Sequence, residues 1–186
     1  MSFSPHANPR IQPVAATDQA ASAGSIYAKI EGPGGRQGGS QLNIMRTLAH
    51  HPVLARTYLE FGLHVLNGST LPERVQEIAT LRTAWLYDSE YEWTKHAVRA
   101  ERIGMTAEEI AATQMDAESP VWSDFEKALV RAVDGLKRDT AIDDETWSVL
   151  ARTLDHRQLL DFLFTVGNYA MLAMVLNGVR IQIEPT

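Results

Sequence analysis

From Leu42 to the C-terminus the apolar residues recur at three- and four-residue intervals, and no stretch alternates with period two. That periodicity restricts the chain to helices packed on helices, because a helix must bury its apolar stripe against another element. Leu54, Tyr58, Phe61 and Val65 form one stripe. Val75, Ile78, Ala79, Leu81, Arg82 and Trp85 form the next, over about three turns. Residues 157–176 are so apolar that their helix is expected to be largely buried. The fold class is therefore all-α, with about seven or eight helices.

Punctuation places the ends. Gly62 interrupts the first stripe, and Gly68 is expected to cap that helix. Ser69 or Thr70 can cap the next helix, with Pro72 in its first turn. A break falls at Tyr87-Asp88, Ser89 opens a helix through His96 and Ile103, and Gly104 ends it. Thr106-x-x-Glu109 is a capping box, Ser119-Pro120 is expected to start a longer helix, and Asp143 or Asp144 the following one. The helix pairs near 71–103 and 143–176 form at most a weak internal repeat.

Residues 1–41 read differently. They hold Pro5, Pro9, Pro13 and Pro33 and six of the twelve glycines, a composition of extended or looped chain. Thr17–Ile30 can form a short helix capped by Thr17 or Asp18. GPGGRQGG at 32–39 lacks a preceding strand and both phosphate-loop patterns, so it reads as a flexible turn. The expected organisation is an irregular arm over 1–41 and a helical domain over 42–186, the arm crossing the domain surface or a neighbouring subunit.

Of the 186 residues none is cysteine, which excludes disulfides, thiol nucleophiles and dithiol redox chemistry. The net charge of −6 gives no basic footprint for nucleic acid, and the scattered Lys and Arg give no polybasic membrane patch. No uninterrupted apolar run reaches the roughly 18 residues of a membrane span, and the N-terminus lacks the apolar core of a secretory signal. The default location is cytoplasmic.

The chemistry concentrates in Pro72–Gly104. Ser89, Glu92 and His96 are three and four residues apart, so they share one helix face. Glu77, one helix earlier, meets them if the two helices fold back as a hairpin. A carboxylate and an imidazole together can hold, take and give a proton near neutral pH. Two plainer roles compete. Ser89-x-x-Glu92 is also a capping box, and Glu92/His96 is also an ordinary i, i+4 pair. As metal ligands, Glu77, Glu92 and His96 lack both H-E-x-x-H and a paired Glu-x-x-His, so no metal is expected.

The segment LPERVQEIATLRTAWLYDSEYEWTKHAVRAERIGMTAEEIAA resembles the core of the carboxymuconolactone decarboxylase-like family, which shares its fold with alkylhydroperoxidase D-like proteins. LNIMRTLAHHPVLARTYLEFG before it and FTVGNYAMLAMVLNGV near the end resemble family members too, extending the likeness over about residues 42–183. The most specific part is E-Y-E-W-x-x-H after L-P-x-R-x-x-E-x-x-x-L-R. The resemblance implies an alkylhydroperoxidase D-like helical bundle. Its redox members carry a glutamate, then C-x-x-C, then a histidine. Glu77 and His96 match the outer two, while Ser89 and Glu92 stand at the cysteine positions. Thiol peroxidase activity therefore does not carry over.

What the resemblance leaves is the decarboxylase branch: cofactor-free loss of carbon dioxide from a carboxylated unsaturated lactone, as in aromatic catabolism. It implies His96 as proton donor or shuttle, with Glu92 and Glu77 orienting it or relaying protons. A substrate carboxylate calls for an arginine fork. Arg82 matches the family's L-R position but lies about 140° round the helix from Glu77, and Arg74 is the rival on the Glu77 side. Trp85, Tyr91 and Trp93 can wall an apolar ring pocket or simply pack the core. Asp161, Thr165 and Asn168 form a polar stripe on the apolar helix, beside Tyr169, with a structural role favoured. His6, His50, His51 and His64 carry no assignment.

The leading expectation is a cofactor-independent lyase acting on a small carboxylated lactone or oxo acid. The alternatives are an isomerase or hydratase using the same Glu/His pair and a non-catalytic small-molecule-binding protein. The partner is a small-molecule substrate. Assembly as a homo-oligomer, a trimer or hexamer, is what the resemblance implies.

Overall fold

The computed structural model describes residues 3, 8–15 and 42–184. The short helix over 17–30, the turn at 32–39 and His6 lie outside the described residues. Among the described residues eight α-helices follow in order: α1 (Asn43–Leu48), α2 (Pro52–Leu63), α3 (Glu73–Leu86), α4 (Glu90–Arg102), α5 (Ala107–Ala112), α6 (Asp124–Asp139), α7 (Asp144–Ala151) and α8 (His156–Val179). No strand occurs among the described residues, so the all-α expectation holds.

The chain divides into two compact units, Met1–Ser4 with Ser69–Val175, and Pro5–Gly68 with Leu176–Thr186. In the second unit, residues 8–15 run beside α1 and the chain end. Arg46 Nε donates to the Val14 carbonyl at 2.7 Å, and the Arg10 N–H donates to the Val179 carbonyl at 2.8 Å. His50 Nε2 lies 2.8 Å from the Gln12 carbonyl, and His51 caps α2 by accepting from the Leu54 N–H. The helix beginning at Pro52 does not end in a glycine cap at Gly68. It passes into a π-helical turn, His64–Gly68.

The first unit holds the functional segment. Its core joins Val75, Ile78 and Leu81 of α3, Leu129, Val130 and Val133 of α6, Leu150 of α7, and Leu159, Phe162 and Val166 of α8. The α3–α4 hairpin turns at Tyr87-Asp88. Asp88 is left-handed (φ 54°), its N–H bonds to the Trp85 carbonyl, and the Ser89 N–H bonds to the Ala84 carbonyl at 2.8 Å. That double closure satisfies two terminal carbonyls of α3 and seats Ser89 directly over them. Gly104 (φ 89°) closes α4 in the same way.

Helix starts differ from expectation in two places. Pro72 holds the N-cap position of α3 with no side-chain cap, while Thr70 bonds through its hydroxyl and N–H to Asp161 instead. The helix expected from Ser119 starts at Asp124, because Ser123 and Glu126 form the capping box. The box of Thr106 and Glu109 and the cap by Asp143 are as read.

The expectation that the 157–176 helix is largely buried is only half met. One face of α8 carries Leu159, Phe162, Val166, Tyr169 and Ala173 inward. On the other, Leu160, Phe164 and Met174 are more than half exposed, with Met171 and Val175 beside them. Mean hydropathy could not separate these faces, since both are apolar. Averaged over its most apolar 18 residues, α8 is apolar and long enough to cross a membrane, and half of that window is buried in the structure.

Gly135 lies inside α6, where alanine is ordinarily favoured by about 1 kcal/mol. Here a Cβ would stand 2.8 Å from the Ala141 carbonyl oxygen of the α6–α7 connection. Gly135→Ala is therefore expected to destabilise the protein by about 1–3 kcal/mol, measured by urea unfolding. A stabilised variant would show that this close approach does not constrain the turn.

Candidate active site

Glu77 is fully buried on α3, and its two oxygens meet two side chains of α4. Oε2 lies 2.8 Å from His96 Nδ1, and Oε1 lies 2.8 Å from Arg99 Nε. Arg99 makes Glu77 an ionised carboxylate, which can only accept a hydrogen bond. The imidazole hydrogen is therefore assigned to Nδ1, and Nε2 is left to exchange a proton. The ring of Tyr169, from α8, stands edge-on to His96 at 4.8 Å between centroids and 82° between planes.

One turn before His96, Glu92 is buried with Ser89 three residues earlier. The capping-box reading of this pair fails: Ser89 occupies the N-cap position but makes no side-chain cap bond. Burial pushes the Glu92 carboxyl up to about 8. The nearby Ser89 hydroxyl offsets part of that rise, although its geometry falls short of a hydrogen bond. Neither Glu92 oxygen has a hydrogen-bond partner among the described residues. At neutral pH Glu92 is thus an uncharged acid, one helical turn from an imidazole held by a charged carboxylate. A buried carboxyl that keeps its proton beside an imidazole places an acid and a proton acceptor together.

The arginines proposed as clamps are held elsewhere. Arg82 donates from Nε and Nη2 to Asp134 at 2.7 and 3.0 Å, and from Nη1 to the carbonyls of Thr113 and Met115. It fastens the segment after α5 to α6. Arg74 pairs with Glu109 and Glu126, each at 2.7 Å. That contact draws the Glu109 carboxyl down to about 2.

The aromatics also spread out. Trp93 packs on the core and donates from Nε1 to the Thr113 hydroxyl at 3.3 Å. Phe3 stands against Trp85 and Trp93, at 5.2 and 5.9 Å between centroids. Tyr91 is buried about 140° round α4 from His96, with Lys95 Nζ 5.5 Å from its ring centroid. Of the polar stripe on α8, Asp161 accepts from Thr70, while Thr165 and Asn168 are buried. Sequence reading missed Arg99 and Thr80. Arg99 follows His96 by three residues, so a buried Glu77 facing that helix turn was the available signal. Glu77 has both oxygens occupied, so Glu77, Glu92 and His96 are not assembled as a ligand set. Among the described residues no group of three or more His, Asp or Glu is placed to hold a metal.

This arrangement of α3, α4 and α8 is that of an alkylhydroperoxidase D-like fold. An uncharacterized peroxidase-related protein with an alkylhydroperoxidase D core from Ralstonia eutropha superposes with a TM-score of 0.80, at 11% identity over 97% of this chain and 94% of that one. A debrominase in complex with 2,3,4-tribromopyrrole gives 0.75, at 16% identity over 95% and 92%. A protein of unknown function from Agrobacterium tumefaciens gives 0.69, at 18% identity over 75% and 96%. Residues 52–135, which hold α3 and α4, match the model of the carboxymuconolactone decarboxylase family, and the chain contains no cysteine. No curated protein matches the sequence.

Two outcomes follow. Between about pH 4.5 and 8 the unfolded chain releases the Glu92 proton and the folded chain keeps it, so stability falls as pH rises through that window. Glu92→Gln is expected to flatten this slope and to gain up to about 5 kcal/mol at pH 8, read by denaturant midpoints. Arg82→Met should cost about 3 kcal/mol by leaving Asp134 and two carbonyls unpaired. A rise in KM at unchanged stability would instead return Arg82 to the substrate.

Proposed function

We propose that the protein is a cofactor-independent acid–base enzyme of lyase or isomerase type, acting on a small lactone or oxo compound. The observation that carries this reading is the neutral, buried Glu92 beside the Glu77-held His96. Glu92 supplies the acid. His96 Nε2 takes and returns protons, and Glu77 with Arg99 fixes the ring. In the decarboxylation that family likeness suggests, the C–C bond to the carboxylate breaks, carbon dioxide leaves, and the electron pair remains as a dienolate. Glu92 then gives its proton to carbon and is recharged through His96. An acid held at the developing oxyanion also lowers that barrier. Double-bond migration uses the same groups without loss of carbon dioxide.

The debrominase of the same fold holds a five-membered ring, which supports a ligand of that size. Its name also speaks of a different chemistry, and fold alone does not select among them.

The test is incubation of carboxylated and uncharged unsaturated lactones and oxo acids in D2O, with carbon dioxide release and carbon deuteration followed together. Glu92→Gln and His96→Ala should each lower turnover by about 10²–10⁴ without loss of folding. Activity in the intact protein should fall above pH 8, as Glu92 loses its proton. Folded protein that deuterates and decarboxylates nothing would leave the binding-protein reading in its place.

A further inference from the structure

Beside the Glu77–His96 pair lies a row of buried polar atoms with no hydrogen-bond partner among the described residues: Thr80 Oγ1, Ser89 Oγ, and both carboxyl oxygens of Glu92. Thr80 follows Glu77 by one turn on α3, and Glu92 and Ser89 precede His96 by one and two turns on the facing α4. The hydrogen bond from the Ser89 N–H to the Ala84 carbonyl and the contact of Glu77 with His96 hold the two helices side by side. All four atoms therefore occupy the stretch between that contact and the α3–α4 turn. Thr80 and Ser89 are completely buried and Glu92 nearly so. Each unpaired buried polar atom is destabilising, and native proteins rarely keep several together without something to bond them.

The row is also uncharged. It offers two hydroxyls and a carboxyl that burial keeps protonated at neutral pH. The neighbouring cation, Arg99, is ion-paired with Glu77, while Arg82 and Arg74 are held by Asp134 and by Glu109 and Glu126. With these three arginines each already ion-paired, a carboxylate placed here would have to compete for a cation that another carboxylate holds, and burying a charge without a partner is strongly unfavourable. A carbonyl or ring oxygen meets no such penalty and accepts from the hydroxyls directly.

Resting on the acid–base reading above, we infer that the site takes an uncharged unsaturated lactone or cyclic ketone in preference to a carboxylated one, with Thr80 and Ser89 holding its oxygen atoms. The reaction that follows is proton relocation. With 5-methyl-3H-furan-2-one, His96 Nε2 takes the proton from C3. The C3–C4 bond becomes double as the C4–C5 double bond becomes single, and Glu92 gives its proton to C5. The proton on His96 returns to Glu92, so atoms and charge balance over the cycle.

The test compares that lactone with its 5-carboxymethyl counterpart, which adds a carboxylate group to the same ring, and with the uncharged, equally large 5-carbamoylmethyl compound as the control for size, by ligand-observed NMR titration of the intact protein. The methyl compound is expected to bind at least about 10-fold more tightly, and Thr80→Val and Ser89→Ala should each weaken it about 5-fold. Thr80→Val swaps an unpaired buried hydroxyl for a methyl of the same shape, so the unliganded Tm should hold or rise while affinity drops. Equal or tighter binding of the carboxymethyl compound overturns the inference. So does binding of neither, or a Thr80→Val variant that loses Tm and keeps its affinity. Preferential binding of the methyl compound without carbon deuteration would sustain this inference and overturn the acid–base reading. Turnover confined to the carboxymethyl compound would do the reverse.

Discussion

The charge on Glu77 is the constraint around which the site is built. A carboxylate with no exposure to water is tolerable only when cations and hydrogen-bond donors surround it. Both come from one helix face, His96 and Arg99 of α4, at 2.8 Å from separate oxygens. That single requirement sets the register of α3 against α4, fixes the hydrogen on Nδ1 of His96, and leaves Nε2 outside the pair. The left-handed Asp88 lets the chain reverse within two residues, and the Ser89 N–H then closes the end of α3. A longer connection would leave the register free, and the pair would have no fixed length to span.

Glu77 and Glu92 are the same residue type in one hairpin and behave oppositely. Glu77 has a cation beside it and is charged. Glu92 lies near the Ser89 hydroxyl and is kept protonated by burial. Environment, not identity, divides the two roles. The redox relatives with this spacing place thiols where Ser89 and Glu92 stand. In this chain the same stretch between a glutamate and a histidine holds a buried hydroxyl and a buried carboxyl group.

How much could be read beforehand depended on the range of the interaction. Capping at Thr106 and Asp143 and the stop at Gly104 depend on residues three or four apart, and the sequence displayed them. The Ser89/Glu92 box has the same spacing and did not form, because both side chains turn inward, away from the helix end. Arg82 looked available and is the buried fastener between α3, α6 and the segment after α5. Its partner Asp134 is 52 positions away, a distance at which no local pattern identifies a pair. Gly135 carries no local signal in the sequence and is required by a carbonyl that approaches from the next connection.

The sequence by itself determined the all-α architecture, the absence of thiol chemistry, and the placing of Ser89, Glu92 and His96 on one face. Helical period and residue type are properties of neighbours along the chain, and they survive without knowledge of the fold. Only the tertiary structure decided that Arg99 completes the Glu77 pair, that Glu92 is a neutral acid rather than a cap, and that α8 exposes one of its two apolar faces. Protonation state and exposure depend on what packs against a group, and the residues that pack against these lie on other helices.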